Sequence, residues 1–419
     1  MKFAKKFLAL ALCLVLCLGL CATAFAEDTY NVSTTVRTAA ESGIVKTLNI
    51  AEGTTLPAVD YTFSVAPGTP DTTNVFAVAA DKAFTATIAS TAMTHNLNMY
   101  TGSISIATMF SSLTERGITH AGVWIFNVKE TTEAIDETVT EGDVKTTRKL
   151  TVDASEYILR LYVTNTSTGG IEISNVTVEK GGNKVDPKIV ETTTTGEGAT
   201  GSSANASGFQ FKNTYKETVE KPGPGPGPFP TPTETGAYTV KKTIVPKETD
   251  GSIAYANTSR MFPVKVMLTR PSTMENTDEL YNGVSYKIYR AATAEYPDGQ
   301  VTAEATLAYG STDPIQLSHG DVLVIEKIAV GTEFKIEETG YTDWVDGYKT
   351  GEYTAKSGTF ATTDKENGVH SNVNNLFDDQ GTTPTGIVVN NLPFVLIVLL
   401  AVSGIAVYFV VRRRREQED

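Results

Sequence analysis

Short runs of alternating apolar and polar residues recur along most of this chain. Tyr61-Thr62-Phe63-Ser64-Val65 is one, Tyr157-Ile158-Leu159-Arg160-Leu161-Tyr162-Val163 a second and Phe334-Lys335-Ile336 a third. A period of two is the mark of a strand with one face buried. The runs are rich in Thr, Val, Ile and Tyr, and Gly, Asn or Asp stands between them, as turns require. No helical period is sustained outside the two ends of the chain. The pattern predicts an all-β protein with two strand-rich segments, residues 27–216 and 237–380. Each is expected to form a sandwich, because a half-buried sheet must cover its apolar face with another layer. Between them lies a linker, residues 217–236, containing GPGPGPFPTPTETG. Alternating Pro and Gly prevent a regular ladder, and the prolines keep such a stretch extended. A second loose stretch, Thr192 to Gly208, reads as a surface loop before the last strand of the first segment.

The same alternation exposes residues that do not suit the face they share. Ile44, Lys46, Leu48 and Ile50 share one face of a strand, so Lys46 sits in an apolar row. Glu130 joins the row of Trp124, Phe126 and Val128. Asn213 joins that of Phe209, Phe211 and Tyr215. The second segment repeats the set in the same order. Lys242 shares a face with Tyr238, Val240 and Ile244. Glu338 shares one with Phe334 and Ile336, and Asn375 with Val373 and Phe377. An inward charge at the end of a strand can simply reach solvent, and a single triad would carry no more than that. Two triads in one order, Lys first, Glu in the later middle and Asn last, point to a shared chemistry.

Those three groups can react together. A buried lysine loses hydration, which favours its neutral, nucleophilic amine. A buried carboxylic acid favours its neutral form, and can then hydrogen-bond the Asn carboxamide and pass protons. Attack of the amine on the amide would expel ammonia and leave a Lys–Asn isopeptide bond. The fold would act once on itself, with proximity supplying the rate.

The two ends carry targeting signals. Lys2, Lys5 and Lys6 precede an apolar run, Phe7 to Leu20, and Ala24-Phe25-Ala26 gives a small-x-small cleavage pattern. Residues 1–26 are expected to be a signal peptide, since the run is short for a membrane span. At the other end Thr382-Thr383-Pro384-Thr385-Gly386 is followed by an apolar stretch, residues 392–411, and by Arg412-Arg413-Arg414-Arg415. The stretch is long enough to span a bilayer, and the arginines would stay on the cytoplasmic side. The arrangement over 382–419 resembles a sortase cell-wall sorting signal in an x-x-P-T-G variant. A sortase would cut between Thr385 and Gly386 and pass the Thr385 carbonyl to an amine.

Composition narrows the function further. The 419 residues carry a formal charge of −13, which argues against nucleic acid as a partner. Removal of both ends leaves roughly 350–360 residues, enough for two or three domains with real cores. All three cysteines, Cys13, Cys17 and Cys21, fall in the signal peptide, so the mature chain can form no disulfide and do no thiol chemistry. Its four histidines show no metal spacing, and no nucleophile elbow or phosphate loop occurs. Neither enzymatic turnover, a cofactor nor a metal is expected.

At the triads the sequence resembles the backbone (shaft) pilins of Gram-positive bacteria, in particular the streptococcal T-antigen type. LSHGDVLVIEKIAVGTEFKIEETGY (Leu317–Tyr341) resembles the family's glycine turn, hydrophobic strand and Glu-bearing strand. FQFKNTY resembles its closing strand, and GIVKTLNI and YTVKKTIV resemble its opening Lys strands. The closing strand of the second segment, HSNVNNLF, is less aromatic than the family pattern. The first segment also holds an acidic, Thr-rich insertion around Thr131 to Lys149. The resemblance implies two tandem Ig-like (CnaB-like) β-sandwich domains in an elongated rod. It implies internal isopeptide bonds Lys46–Asn213 and Lys242–Asn375, with Glu130 and Glu338 as the catalytic groups. It places the protein outside the cell, on the wall or in a pilus, after transient membrane anchoring. Its partners would be a sortase, other copies of itself and peptidoglycan, with a host surface ligand as a further candidate. A bond closing so long a loop would stabilise each domain by about 5 kcal/mol.

Polymerisation needs one more lysine, whose amine takes the Thr385 carbonyl of another subunit. Val185-Asp186-Pro187-Lys188 resembles the V-x-P-K part of a pilin lysine motif, which makes Lys188 the candidate, with Lys184 and Lys180 as competitors. The alternative is a wall-anchored adhesin or ancillary pilin that shares every other feature but is never polymerised.

Overall fold

A computed structural model describes residues 36–96, 98–189, 208–225, 233–249, 251–292 and 299–378. The expected signal peptide, the Thr382–Gly386 signal, the apolar stretch 392–411 and nearly all of the loose stretch 192–208 lie outside these residues. Among the described residues no helix is long and apolar enough to cross a membrane. The only α-helix among them is α1 (Ile106–Met109), a single turn.

The chain is nearly all β, as its alternation predicts, and it forms two compact units. Among the described residues, the first takes in those up to Ile50, those within Leu56–Asp136 and those within Lys149–Tyr215. The second takes in Ala51–Thr55, Glu137–Arg148 and the described residues from Lys216 onward. The acidic stretch after Thr131 folds into two strands joined by a turn at Gly142, where φ is +62°.

The strands up to Glu220 are β1 (Gly43–Ile50), β2 (Tyr61–Pro67), β3 (Val75–Phe76), β4 (Phe84–Ile88), β5 (Thr94–Asn96), β6 (Met99–Ser105), β7 (Gly122–Glu130), β8 (Ile135–Glu141), β9 (Val144–Thr151), β10 (Glu156–Asn165), β11 (Ile171–Lys180), β12 (Asn183–Val185) and β13 (Phe209–Glu220). One sheet has the order β5-β6-β1-β13-β9-β8. The other has the order β12-β11-β10-β7-β2-β4, with β3 added beside β7. Their inner faces meet in one core. Ile44, Leu48, Phe209 and Phe211 come from the first sheet, and Phe63, Phe126, Val128, Leu159 and Leu161 from the second. Phe63 and Phe211 join the two layers with ring centroids 5.0 Å apart.

The second unit holds β14 (Tyr238–Pro246), β15 (Phe262–Thr269), β16 (Val284–Arg290), β17 (Gln300–Leu307), β18 (Pro314–Leu317), β19 (Val322–Ile325), β20 (Lys327–Ala329), β21 (Glu333–Glu338), β22 (Tyr348–Thr354), β23 (Ser357–Thr359) and β24 (Val369–Phe377). Its sheets run β17-β16-β19-β14-β24-β22 and β18-β15-β21-β23. Val240, Val373 and Leu323 of the first face Val264, Val266, Phe334 and Ile336 of the second in its core. Tyr238 and Phe334 meet across it at 4.8 Å.

Both units place their opening strand beside their closing strand, and in parallel. β1 pairs with β13, and β14 pairs with β24. A parallel pair cannot be joined by a hairpin, so the chain must cross the sandwich between the two strands. Gly208 and Gly236, with φ of +107° and +136°, stand just before β13 and β14, in a backbone region that side chains disfavour. β13 continues through Glu220, into the stretch expected to be linker. The alternation of Glu217, buried, with Thr218 and then Val219, buried, carries it on until Pro222.

Candidate functional site: two buried Lys–Glu–Asn clusters

Parity puts Lys46 of β1 and Asn213 of β13 on the inner face of one sheet, and Glu130 of β7 on the inner face of the other. All three are buried, and the Lys46 and Asn213 side chains are sealed from solvent. In the register Lys46 faces Phe211 directly, so Asn213 lies two residues further on, on the same face. Glu130 spans the gap from the opposite sheet. Its Oε2 is 2.7 Å from Lys46 Nζ, and its Oε1 accepts a hydrogen bond of 2.8 Å from Asn213 Nδ2. Thr132 Oγ1 donates to the same Oε1 at 2.7 Å and itself accepts the backbone N–H of Thr62.

The second unit repeats the design. Lys242 of β14 faces Val373, so Asn375 of β24 is again two residues on. Glu338 of β21, in the facing sheet, has Oε1 3.0 Å from Lys242 Nζ. Thr350 Oγ1 donates to Glu338 Oε2 at 2.6 Å, as Thr132 does to Glu130. Lys242 Nζ also donates to Asn375 Oδ1 and to the Val373 carbonyl oxygen, the latter at 3.3 Å. The exposed neighbours sort as parity requires. Glu337 points outward, while Lys241 and Asn374 are only half-buried. The lower aromatic content of β24 does not displace Asn375, which is fully buried against Lys242.

Burial pushes the Lys46 amine down to about 8, although Glu130 pulls it upward. Burial does the same to Lys242, also to about 8, against the pull of Glu338. An amine so shifted is neutral in about a tenth of molecules at pH 7, far more than an ordinary lysine, and only the neutral form attacks a carbonyl. Each lysine rests over an aromatic ring of the second strand of its unit. Lys46 Nζ is 5.3 Å from the Tyr61 ring centre and Lys242 Nζ 4.6 Å from that of Phe262. These rings exclude water from the amine. Their positions correspond. Phe63, two residues after Tyr61, pairs with Glu130, and Val264, two residues after Phe262, pairs with Glu338.

One expectation is modified in both units. The Asn carbonyl was expected to take its hydrogen bond from the glutamic acid. Instead Asn213 Oδ1 accepts the backbone N–H of Asp153 at 2.8 Å, which turns the carboxamide nitrogen toward Glu130. Asn375 Oδ1 takes its hydrogen bond from Lys242 and not from Glu338. Asp153, Thr132, Thr350 and the two rings were not foreseen from the sequence. Thr132 follows Glu130 by two residues in strand-like spacing, a weak cue. The others come from strands and loops remote in the chain, and no local pattern marks them.

Lys188 is half-buried, next to the buried Pro187. Its backbone is tied down on both sides. It forms a bridge to Ser42, and its N–H donates to Asp186 Oδ1 at 3.1 Å. Lys180 and Lys184, on β11 and β12, are more exposed. Of the three, Lys180 comes near a cluster: its charge acts on Asp153, whose backbone N–H bonds Asn213 Oδ1, and its Nζ lies 5.3 Å from the Tyr157 ring centre.

Residues 236–375 match the model of a domain of unknown function, DUF7601. No curated protein matches the chain. The chain is similar to streptococcal major pilins. The major pilin of Streptococcus pyogenes is 17% identical, with 82% of this chain and 99% of that one covered and a TM-score of 0.30. The major pilin protein T-13 of Streptococcus pyogenes is 14% identical over 83% and 99% of the two chains, with a TM-score of 0.28. A variant of the shaft pilin spaA from Lactobacillus rhamnosus GG is 13% identical over 80% and 98%, with a TM-score of 0.15.

Proposed function

We propose that this chain is the shaft subunit of a sortase-assembled pilus, and that each sandwich is locked by a Lys–Asn isopeptide bond of its own making. The observation that carries this reading is the repeated cluster. Two units with unrelated loops place Lys, Glu and Asn on corresponding strands with one register offset, sealed from water. A buried lysine–glutamate pair is costly to keep, and hydrophobic residues would serve packing as well or better. The cluster is better understood as a reaction site whose product, a neutral amide, removes the buried charge.

Lys46 would join Asn213 with Glu130 as the proton relay, and Lys242 would join Asn375 with Glu338. Glu130 suits that role because its two oxygens touch the two nitrogens that exchange places. The sorting signal at Thr382–Gly386 would then be cut between Thr385 and Gly386, and Lys188 of another copy would take the Thr385 carbonyl. Peptidoglycan would receive the last subunit. Internal cross-links suit a shaft, where tension passes through every subunit in series.

Mass spectrometry of tryptic peptides from purified surface polymer tests the whole reading. The expected result is two internal Lys–Asn linked peptides and a third in which Thr385 is joined to Lys188. A wall-linked monomer carrying both internal links, with no ladder of higher mass, would replace the shaft subunit with a wall-anchored adhesin. Absence of both internal links would overturn the cross-linking chemistry.

A further inference from the structure

The two clusters hold their asparagines differently. Asn375 Oδ1 faces the Lys242 amine, and Asn375 Nδ2, although buried, has no hydrogen-bond partner. Asn213 is gripped at both ends, Nδ2 by Glu130 and Oδ1 by the backbone N–H of Asp153. Asp153 lies in the turn between β9 and β10, half-buried. Its own carboxylate meets two backbone groups, besides the Ser155 side chain and the charge of Lys180. Oδ1 accepts the N–H of Ser155 at 2.8 Å, and Oδ2 accepts the N–H of Lys212 at 2.7 Å. Lys212 is the residue just before Asn213. The side chain of Asp153 therefore ties its turn to β13 at the point where its backbone meets the Asn213 carbonyl. The grip is reciprocal, and it fixes the direction of the Asp153 N–H.

We propose that the Asp153 backbone N–H is the oxyanion donor for closure of the Lys46–Asn213 bond, and that the Asp153 carboxylate is the residue that positions it. This rests on the cross-linking reaction proposed above. The neutral Lys46 amine attacks Asn213 Cγ, and the carbonyl π pair moves onto Oδ1. That oxygen then bears the negative charge and already faces an N–H donor that needs no reorganisation. The new Cγ–Nζ bond leaves a proton to spare on Nζ, which passes to Glu130 Oε2. The Glu130 carboxyl then hands a proton on to Nδ2, which its Oε1 already faces. The pair on Oδ1 returns, the Cγ–Nδ2 bond breaks, and ammonia leaves. The products are one secondary amide, one ammonia and Glu130 in its starting state. The second cluster has no matching backbone donor on Asn375 among the hydrogen bonds of the described residues, so its closure lacks this assistance.

The charge of Asp153 bears on Lys46 as well, and it acts in the opposite sense. A carboxylate near the amine favours the ammonium form and so holds the nucleophile back. Removing it would speed closure if Asp153 acted through charge alone. It slows closure if Asp153 aims an oxyanion donor.

The test follows ammonia loss in the full chain, made by cell-free synthesis and quenched at intervals, with each linkage assigned from its tryptic peptide. In Asp153→Ala, closure of Lys46–Asn213 is expected to slow by roughly tenfold or more, below the roughly 100- to 1000-fold cost of removing an oxyanion donor because the N–H is misaimed and not lost. Closure of Lys242–Asn375 in the same molecules keeps its wild-type rate and reports that the second unit has folded, and wild-type resistance of the first unit to limited proteolysis reports that it has folded too. Asp153→Asn keeps the shape but gives up one of the two carboxylate acceptors, and is slowed several-fold. A wild-type or faster rate at Lys46–Asn213 in either variant overturns the assignment. A wild-type chain that loses no ammonia at this pair overturns the cross-linking reading itself, which is a separate result.

Discussion

Asn213 stands two residues past the cross-strand partner of Lys46, on the same inner face of a parallel strand pair. Asn375 stands in the same relation to Lys242. In a parallel ladder this offset sets the two side chains diagonally, one step apart along the strand, and the long lysine covers that step. A bond between residues directly opposite would instead need the lysine to fold back on itself.

The intact mass of the folded protein should fall short of the sequence mass by two ammonia equivalents. Glu130→Ala should restore one equivalent, Glu338→Ala the other, and the double variant both. A full mass in the wild type would sink the chemistry. Restoration of both equivalents by one substitution would show that the clusters are not independent.

Loss of one bond should cost stability through the loop that it closes. For Lys46–Asn213 the loop-closure estimate is about 5 kcal/mol, which for a domain of this size lowers Tm by roughly 10–20 °C. Glu130→Ala, followed by calorimetry, should show a drop of this order in one transition, with a second transition little changed. Equal shifts in both would mean that the stabilisation is not local to one unit.

A free buried lysine should make stability rise with pH. In Asn213→Ala the Lys46 amine cannot be consumed. Its folded pKa of about 8 lies below the ordinary 10.5, because burial disfavours the ammonium. Between those values the unfolded chain binds the proton and the folded chain does not, so raising the pH favours folding across that window. Below about 8 the cost of burial is fully felt. The denaturant midpoint of Asn213→Ala relative to wild type should therefore climb from pH 8 toward 10. A flat difference would mean that Lys46 escapes to solvent in the variant.

Tyr61→Phe should close its bond normally and be as stable as wild type, or more stable by about 1 kcal/mol. The Tyr61 hydroxyl is buried without a hydrogen-bond partner, and the second unit has Phe262 at the corresponding position. Loss of bond formation would show that the hydroxyl takes part in the reaction.

Much of this was legible in the sequence, because a strand has only two faces. Once Ile44, Leu48 and Ile50 face the core, Lys46 has nowhere else to point. The same holds for Glu130 beside Phe126 and Val128, and for Asn375 beside Val373 and Phe377. Parity says which way a side chain points. It does not say which strands are neighbours, so the parallel pairing of β1 with β13 was not in the pattern. Asp153 was out of reach for a second reason. Its contribution to Asn213 is a backbone N–H, which every residue but proline carries, and the Asp-x-Ser spacing marks only the turn. The acidic run after Thr131 was not legible as strands because its many charges hide the alternation of β8, where no residue is fully buried.

The parallel pairing of first strand with last also decides what happens when the chain is cut. With the Lys46–Asn213 bond in place, everything between those two residues becomes a closed covalent ring, and a single break in a ring yields one piece. A protease that nicks an exposed turn, such as the one at Thr166–Gly170, would leave both halves still attached and still paired in their sheets. Severing the subunit would take two cuts, or one cut in the short stretches outside the rings. Damage that would release a fragment from an ordinary sandwich would here go unseen from outside.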